Sequence, residues 1–358
     1  MKRILIIVWL MCIMTVGVFA SDLGEATGVE ALYSALPEEA EARMGNISPD
    51  GGVSLGEGIE NILSSVAEEA GGILQNGLRL CFEILAVVML SALFREFSSA
   101  GMAMVLSSTL AIGMISVGQI SGFFVRAAET VDEMTAFSGF LFTTLATATA
   151  ATGSVGKAGA LYGITLAVCG GLSKLLEALL LPAISCYVAM ILADHAMGDG
   201  RLKIASDTLK QLLTNAMKVG IIGFTAYLSL TGVISGNADS AAVKAAKLTI
   251  STAVPVVGSL ISDASETLLV SAGLLRSSVG IFGLLGVLAV SILPFLETGV
   301  SYLFLKGTSA VTGVLGEKQL AGLIGGLADA MGLLAAVTGV CALILMIGCV
   351  CFMGGLGG

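Results

Sequence analysis

The sequence predicts an all-α fold: a polytopic integral membrane bundle of seven or eight transmembrane helices, behind a signal peptide and a short acidic extracytoplasmic segment. Three observations predict it. The chain is 56% hydrophobic and 12% charged, whereas soluble domains average about 45–50% apolar and about 25% charged. Its apolar residues come in continuous runs, unlike the alternation of an outer-membrane barrel strand. Forty-seven of the 358 residues are glycine and 6% are aromatic, which suits helices whose backbones approach closely in lipid.

The opening MKRILIIVWLMCIMTVGVFA sets two basic residues before an apolar stretch ending in Val-Phe-Ala. That pattern is a secretory signal peptide over residues 1–20, with cleavage expected after Ala20; an uncleaved first helix is the alternative. Residues 21–76 then lie outside the cytoplasm. They hold eleven Asp or Glu against one Arg, Arg43, and so account for the net charge of −9. Within them Leu55, Ile59, Ile62, Leu63 and Val66 recur at three- and four-residue spacing, which predicts an amphipathic helix packed on the bundle. The chain has no basic patch, which excludes a nucleic-acid-binding protein.

The membrane domain is expected over residues 77–358. Its apolar segments are 78–94, 101–125, 136–152, 158–173, 178–194, 212–234, 279–305 and 330–353, and a straight span takes about 20 residues. Segment 158–173 is short, and Lys174 and Glu177 separate it from the next. A helical hairpin with those two residues at its tip is the expectation; one long broken element is the alternative. Lys and Arg near span ends place Arg95, Lys157 and the loop 194–211 inside. Arg126, Lys244 and Lys247 fall outside on this count. Cys81, Cys169, Cys186, Cys341, Cys349 and Cys351 all sit in apolar runs without zinc spacing, and are expected as buried free thiols.

One apolar stretch carries unusual polarity. On a helix following Pro255, residues Ser259, Ser262, Asp263 and Glu266 fall at i, i+3, i+4 and i+7 and form one stripe. A carboxylate facing lipid costs about 2.5–3.5 kcal/mol on insertion scales. Two readings stand. The helix lines an aqueous path, with Pro255 and Gly258 permitting a break, or it lies flat at the interface with its acids solvated. Pro294 with Glu297 is a second place for a polar break.

The same region, AVPVVGSLISDASETLLVSAGLLRSSVGIFG, resembles the late part of the stage III sporulation protein AE family. So does GFLFTTLATATAATGSVGKAGALYG at 139–163, as do the order of signal peptide, acidic segment with LPEEAEARMG, and apolar remainder. The resemblance covers most of residues 30–353. It implies a multi-pass component of the mother-cell membrane in endospore formers. It further implies a permease-like or channel role in a transenvelope complex with a secretion-type ATPase and ring-forming subunits, required for forespore development. It supplies no catalytic residues, metal or cofactor. A non-conducting scaffold of that complex and an independent secondary transporter are the alternatives; no enzyme is expected.

Other motifs carry less. ATGSVGKAGA lacks the first glycine and the Ser or Thr of a phosphate loop, and reads as a turn. DHAMGD holds the single histidine, His195, with Asp194 and Asp199, and reads as a polar loop closing a helix. Gly118/Gly122, Gly159/Gly163 and Gly322/Gly326 have the spacing for close helix packing.

Overall fold

The computed structural model describes residues 28–45, 47, 54–97, 101–151, 155–198, 200–235 and 258–354. The signal peptide lies outside them. Two short helices come first, α1 (Val29–Ser34) and α2 (Glu38–Met44). Glu38, Glu39 and Glu41 occupy the first turn of α2 and Arg43 its last, charges placed to favour the helix dipole. Gly45, at φ 73°, ends it. The helices α3 (Leu55–Phe97), α4 (Gly101–Ala151) and α5 (Val155–Leu175) follow. A π-helical segment, Leu176–Leu180, leads into α6 (Leu181–Met197). Then come α7 (Lys203–Ser235), α8 (Gly258–Val314) and α9 (Lys318–Gly354). Among the described residues there is no strand.

Close-approach glycines fix the register. A Cβ at Gly58 would meet Leu285, and one at Gly77 would meet Phe304, so α3 runs parallel to α8. Gly283 faces Leu141 and Gly286 faces Phe137, so α4 runs antiparallel to α8. Gly325, Gly332 and Gly339 of α9 face Ser309, Tyr302 and Phe295 of α8, an antiparallel hairpin turned at Gly316, φ 85°. A Cβ at Gly322 or Gly326 would lie 2.9 Å from His195 or Ile191 of α6. That Gly-x-x-x-Gly is a true helix contact, whereas Gly118, Gly122, Gly159 and Gly163 have nothing within 4 Å. The central helix is α9, which touches α4, α5, α6, α7 and α8.

Several expectations change here. Five helices among the described residues are long and apolar enough to cross a membrane: Leu55–Phe94, Ala103–Ala151, Ala178–Met197, Ser277–Val314 and Lys318–Val350. Segments 101–125 and 136–152 are one helix, α4, because the charged residues between them stay helical. Its 51 residues make about 75 Å at 1.5 Å per residue, more than twice a hydrocarbon core of about 30 Å. Its two ends therefore lie on opposite ends of the bundle, and positions 95 and 157 cannot share a side. The expected hairpin at Lys174 and Glu177 is also replaced: the chain continues as α5, π segment and α6, with Leu175, Leu180 and Leu181 all right-handed helical. Pro182 has no N–H for the carbonyl four residues back, and the π turn just before it widens the helix there. The predicted amphipathic helix and the span 78–94 join as α3.

Charge on the exterior divides by height, although Leu63, Phe140, Leu343 and Val350 are exposed at the charged end too. Leu78, Phe82, Met89, Leu90, Leu93 and Phe94 of α3 are exposed, as are Leu106, Leu110, Met114 and Val117 of α4 and Leu303 and Val311 of α8. The register puts these at one end, as an apolar belt. At the other end α3 exposes Glu57, Glu60 and Glu68, and α4 exposes Glu129, Asp132 and Glu133. There α1 and α2 bury Val29, Leu32, Leu36, Ala40 and Met44. Cys81, Cys169, Cys341 and Cys349 are buried, and Cys186 is exposed. The exposure of Cys186 departs from expectation; it lies on the outward face of α6, opposite the buried Ile184, Tyr187 and Val188.

Candidate functional site

Where the polar end meets the belt, a cavity of about 330 Å³ opens between α2, the middle of α4 and α8. Five carboxylates line it, from Glu38, Glu39, Glu129, Glu133 and Glu297, with the guanidiniums of Arg43 and Arg126. Pro294 and Val290 form part of the wall. Proline cannot donate the helical hydrogen bond that the Val290 carbonyl would otherwise accept.

Arg43 is the deepest charge of the cavity, 8% exposed. Its Nη1 donates to the Ala289 carbonyl of α8 at 3.2 Å and its Nη2 to Glu39 at 3.0 Å. Its Nε lies 3.7 Å from Glu69 of α3, too far for a hydrogen bond, and has no acceptor. On the α4 side the Nε of Arg126 pairs with Glu297 at 3.0 Å, and its guanidinium lies 5.0 Å over the Phe123 ring. Tyr33 of α1 donates to Glu41, and Asn61 of α3 to the Met44 carbonyl at 3.1 Å; together they hold α2 as the roof. The Tyr33 hydroxyl is raised above its usual pKa of 10.0, first by the hydrogen bond to Glu41, then by burial and by the charge of Glu41.

A second charged group sits in the belt. Asp329 of α9 receives the ammonium of Lys210 from α7 on one oxygen and that of Lys306 from α8 on the other, each at 2.7 Å. Lys306 also lies 5.8 Å over the Tyr302 ring. One carboxylate thus ties three helices.

The predicted stripe falls on the first turns of α8, which begins at Gly258. Pro255 and the side chains of Ser259, Ser262, Asp263 and Glu266 lie outside the described residues. The stripe shares its helix with Pro294 and Glu297, where a second polar break was expected; the helix instead runs unbroken through Pro294. Sequence reading missed Arg43, Arg126, Glu129 and Glu133 as a group, because they come from two separate segments. It also missed Asp329, although a lone acid in a long apolar helix is itself a signal. The DHAMGD loop is a cap: the Asp194 carboxylate accepts the Leu202 N–H at 2.8 Å, Gly198 takes φ 73°, and Gln319 donates to the His195 carbonyl at 2.9 Å.

Comparison with known proteins gives one consistent answer. The profile of the family described as stage III sporulation protein AE matches residues 44–355. Among curated proteins the chain is similar to stage III sporulation protein AE of Bacillus subtilis (strain 168), 21% identical over 171 residues. That match spans 48% of this chain and 43% of that relative. No solved structure matches. The family profile covers most of the apolar bundle described above, and the chain belongs to the stage III sporulation protein AE family, a membrane component with a role in sporulation.

Proposed function

We propose that this protein is a permease-like or channel subunit of a transenvelope complex between mother cell and forespore, required for forespore development. In this reading it resides in the mother-cell membrane. Residues 1–20 are removed as a signal peptide, residues 21–76 face the space between the two membranes, and residues 77–358 form the membrane domain. Its partners are the other membrane proteins of the complex, including a secretion-type ATPase and ring-forming subunits.

The observation that carries the reading is the charged cavity above the apolar belt, walled by Pro294 and Glu297 of α8. Charges at the mouth of a membrane bundle mark a path for polar solutes, because burying them elsewhere is expensive. The stripe Ser259, Ser262, Asp263 and Glu266 belongs to the same helix, which begins at Gly258, and in this reading it contributes to the path. Replacing Asp263 and Glu266 together by Ala is expected to abolish sporulation while the complex still assembles. Normal sporulation in that double variant refutes the role given to the stripe.

A non-conducting scaffold is the second reading. It is favoured by the dry centre of the bundle, where Leu323, Ile324, Leu327, Leu334 and Val337 of α9 are 0% exposed. Reconstitution in liposomes with partner subunits separates the two, since a scaffold passes no solute.

A further inference from the structure

We infer that Lys210, Asp329 and Lys306 form a binding site for the phosphate of an anionic phospholipid, where α7, α8 and α9 meet at the edge of the apolar belt. The site stands apart from the charged cavity and needs no conduit.

Charge comes first. One carboxylate serves two ammoniums, each at 2.7 Å and each on a different oxygen. The group therefore holds one positive charge that Asp329 does not balance. Asp207, three residues before Lys210 on α7, is matched by Lys203 four residues before it, and Arg79 of α3 is paired with Glu83 at 2.9 Å. Among the described residues no other carboxylate pairs with Lys210 or Lys306. An ammonium carries three donors. Lys210 gives one to Asp329; Lys306 meets Asp329 and reaches the Gly325 carbonyl at 3.4 Å. Both lysine side chains are 39% exposed, so the donors left over are open to whatever surrounds the bundle.

Depth decides which anion completes the group. Gly77 of α3 packs on Phe304, which sets Lys306 level with Leu78 and Phe82, exposed apolar residues of the belt. Along α8, Lys306 stands about 13 Å from Glu297 at the cavity, at 1.5 Å per residue. The triad thus lies where the belt begins, and lysines at such a boundary extend toward the headgroups. The Tyr302 ring, 5.8 Å from the Lys306 ammonium, is an aromatic of the kind enriched at membrane interfaces. A positive charge facing lipid is expensive, and a lipid phosphate is the anion at hand there. Basic pockets between membrane helices bind such headgroups. The two ammoniums come from different helices onto one carboxylate, so both lie within reach of one phosphate. A zwitterionic headgroup brings its own cation and leaves the extra charge unbalanced. Ala310 and Gly313 follow Lys306 on the same face of α8, small and exposed, and leave an acyl chain a track along the belt.

The test uses the full chain purified in neutral detergent and native mass spectrometry, with phosphatidylglycerol, phosphatidylcholine and glycerol 1-phosphate as probes. At equal concentration phosphatidylglycerol is expected to be retained at least about tenfold more than phosphatidylcholine. Glycerol 1-phosphate is expected neither to be retained nor to displace the lipid. The neutral variant Lys210→Met/Asp329→Ala/Lys306→Met should bring the preference down to about twofold or less. Lys203→Gln removes the same net charge elsewhere on α7 and should keep the preference. Asp329→Ala alone adds a readout that a purely structural triad does not move. Phosphatidylglycerol should raise its unfolding midpoint by several degrees more than it raises that of the parent, whereas phosphatidylcholine should raise both alike. Equal retention of the two lipids by the parent, a preference unchanged in the neutral variant, a preference lost in Lys203→Gln, or equal gains for Asp329→Ala and the parent overturns the inference. Displacement of the lipid by glycerol 1-phosphate makes the site one for soluble phosphate and overturns the lipid assignment.

Discussion

Replacing Asp329 by Ala should destabilise the bundle by about 2–3 kcal/mol, and the figure follows from exposure. Its side chain is 18% exposed, while the Lys210 and Lys306 side chains are each 39% exposed. Removing one partner of a fully buried pair costs about 3–5 kcal/mol, and an exposed pair contributes about 0.2–1 kcal/mol. Two pairs at 2.7 Å on one half-shielded carboxylate fall between those limits. The loss also leaves two ammoniums facing each other across the place the acid held. Unfolding can be read in detergent with a thiol-reactive dye, because Cys169, Cys341 and Cys349 are buried until the bundle opens. Cys186 is exposed, so the measurement uses a Cys186→Ser background. The midpoint should fall by several degrees. Adding Lys210→Met and Lys306→Met to Asp329→Ala should recover at least half of that fall, since a neutral trio carries no stranded charge. A single Asp329→Ala variant melting with the parent protein refutes the reasoning.

Other perturbations have equally definite outcomes. Gly326→Val drives a side chain into Ile191, already 2.9 Å from a Cβ there, and should cost about 1–3 kcal/mol by overpacking; Gly118→Val meets open space and should leave the melting midpoint unchanged. Arg43→Ala removes the bond from α2 to the Ala289 carbonyl and should speed hydrogen exchange in α1 and α2 while the α8–α9 hairpin stays protected. Tyr33 holds its proton above its usual pKa of 10.0 through Glu41. The folded state therefore keeps a proton that the unfolded state loses, so this contribution is complete below pH 10 and disappears as pH rises through the raised value. Ultraviolet titration of tyrosinate should lose one late-ionising step in Tyr33→Phe relative to the parent protein.

The helical class and the membrane character were legible because they depend on composition and run length alone. Helix continuity was not. Arg126, Glu129, Asp132 and Glu133 read as a loop between two apolar segments, yet residues 123–138 contain no Gly or Pro and are good or neutral helix formers. Charge marks where a helix leaves lipid; it does not end the helix. The same confusion made a hairpin tip of Lys174 and Glu177. The α8 side of the cavity was readable, since Pro294 and Glu297 stand three residues apart in an apolar run, but the break expected there is absent because the helix continues through the proline. Arg43 was hidden because its partners, Glu69 and Ala289, lie far away in sequence. The burial of Val29, Leu32, Leu36 and Ala40 follows three- and four-residue spacing, so the docking of α1 and α2 left a trace in the sequence.

The central claim is that the apolar belt of a continuous bundle lies in lipid while the charged cavity beside it is open to water. Single cysteines at 114, 117, 129 and 132, placed along α4 in a cysteine-free chain and probed in intact vesicles with a membrane-impermeant thiol reagent, test it most directly. Met114 is 80% and Val117 42% exposed on the bundle surface, so the bundle itself does not shield them. The account predicts no labelling at 114 and 117 and rapid labelling at 129 and 132. Labelling at 114 and 117, or protection at 129 and 132, contradicts it.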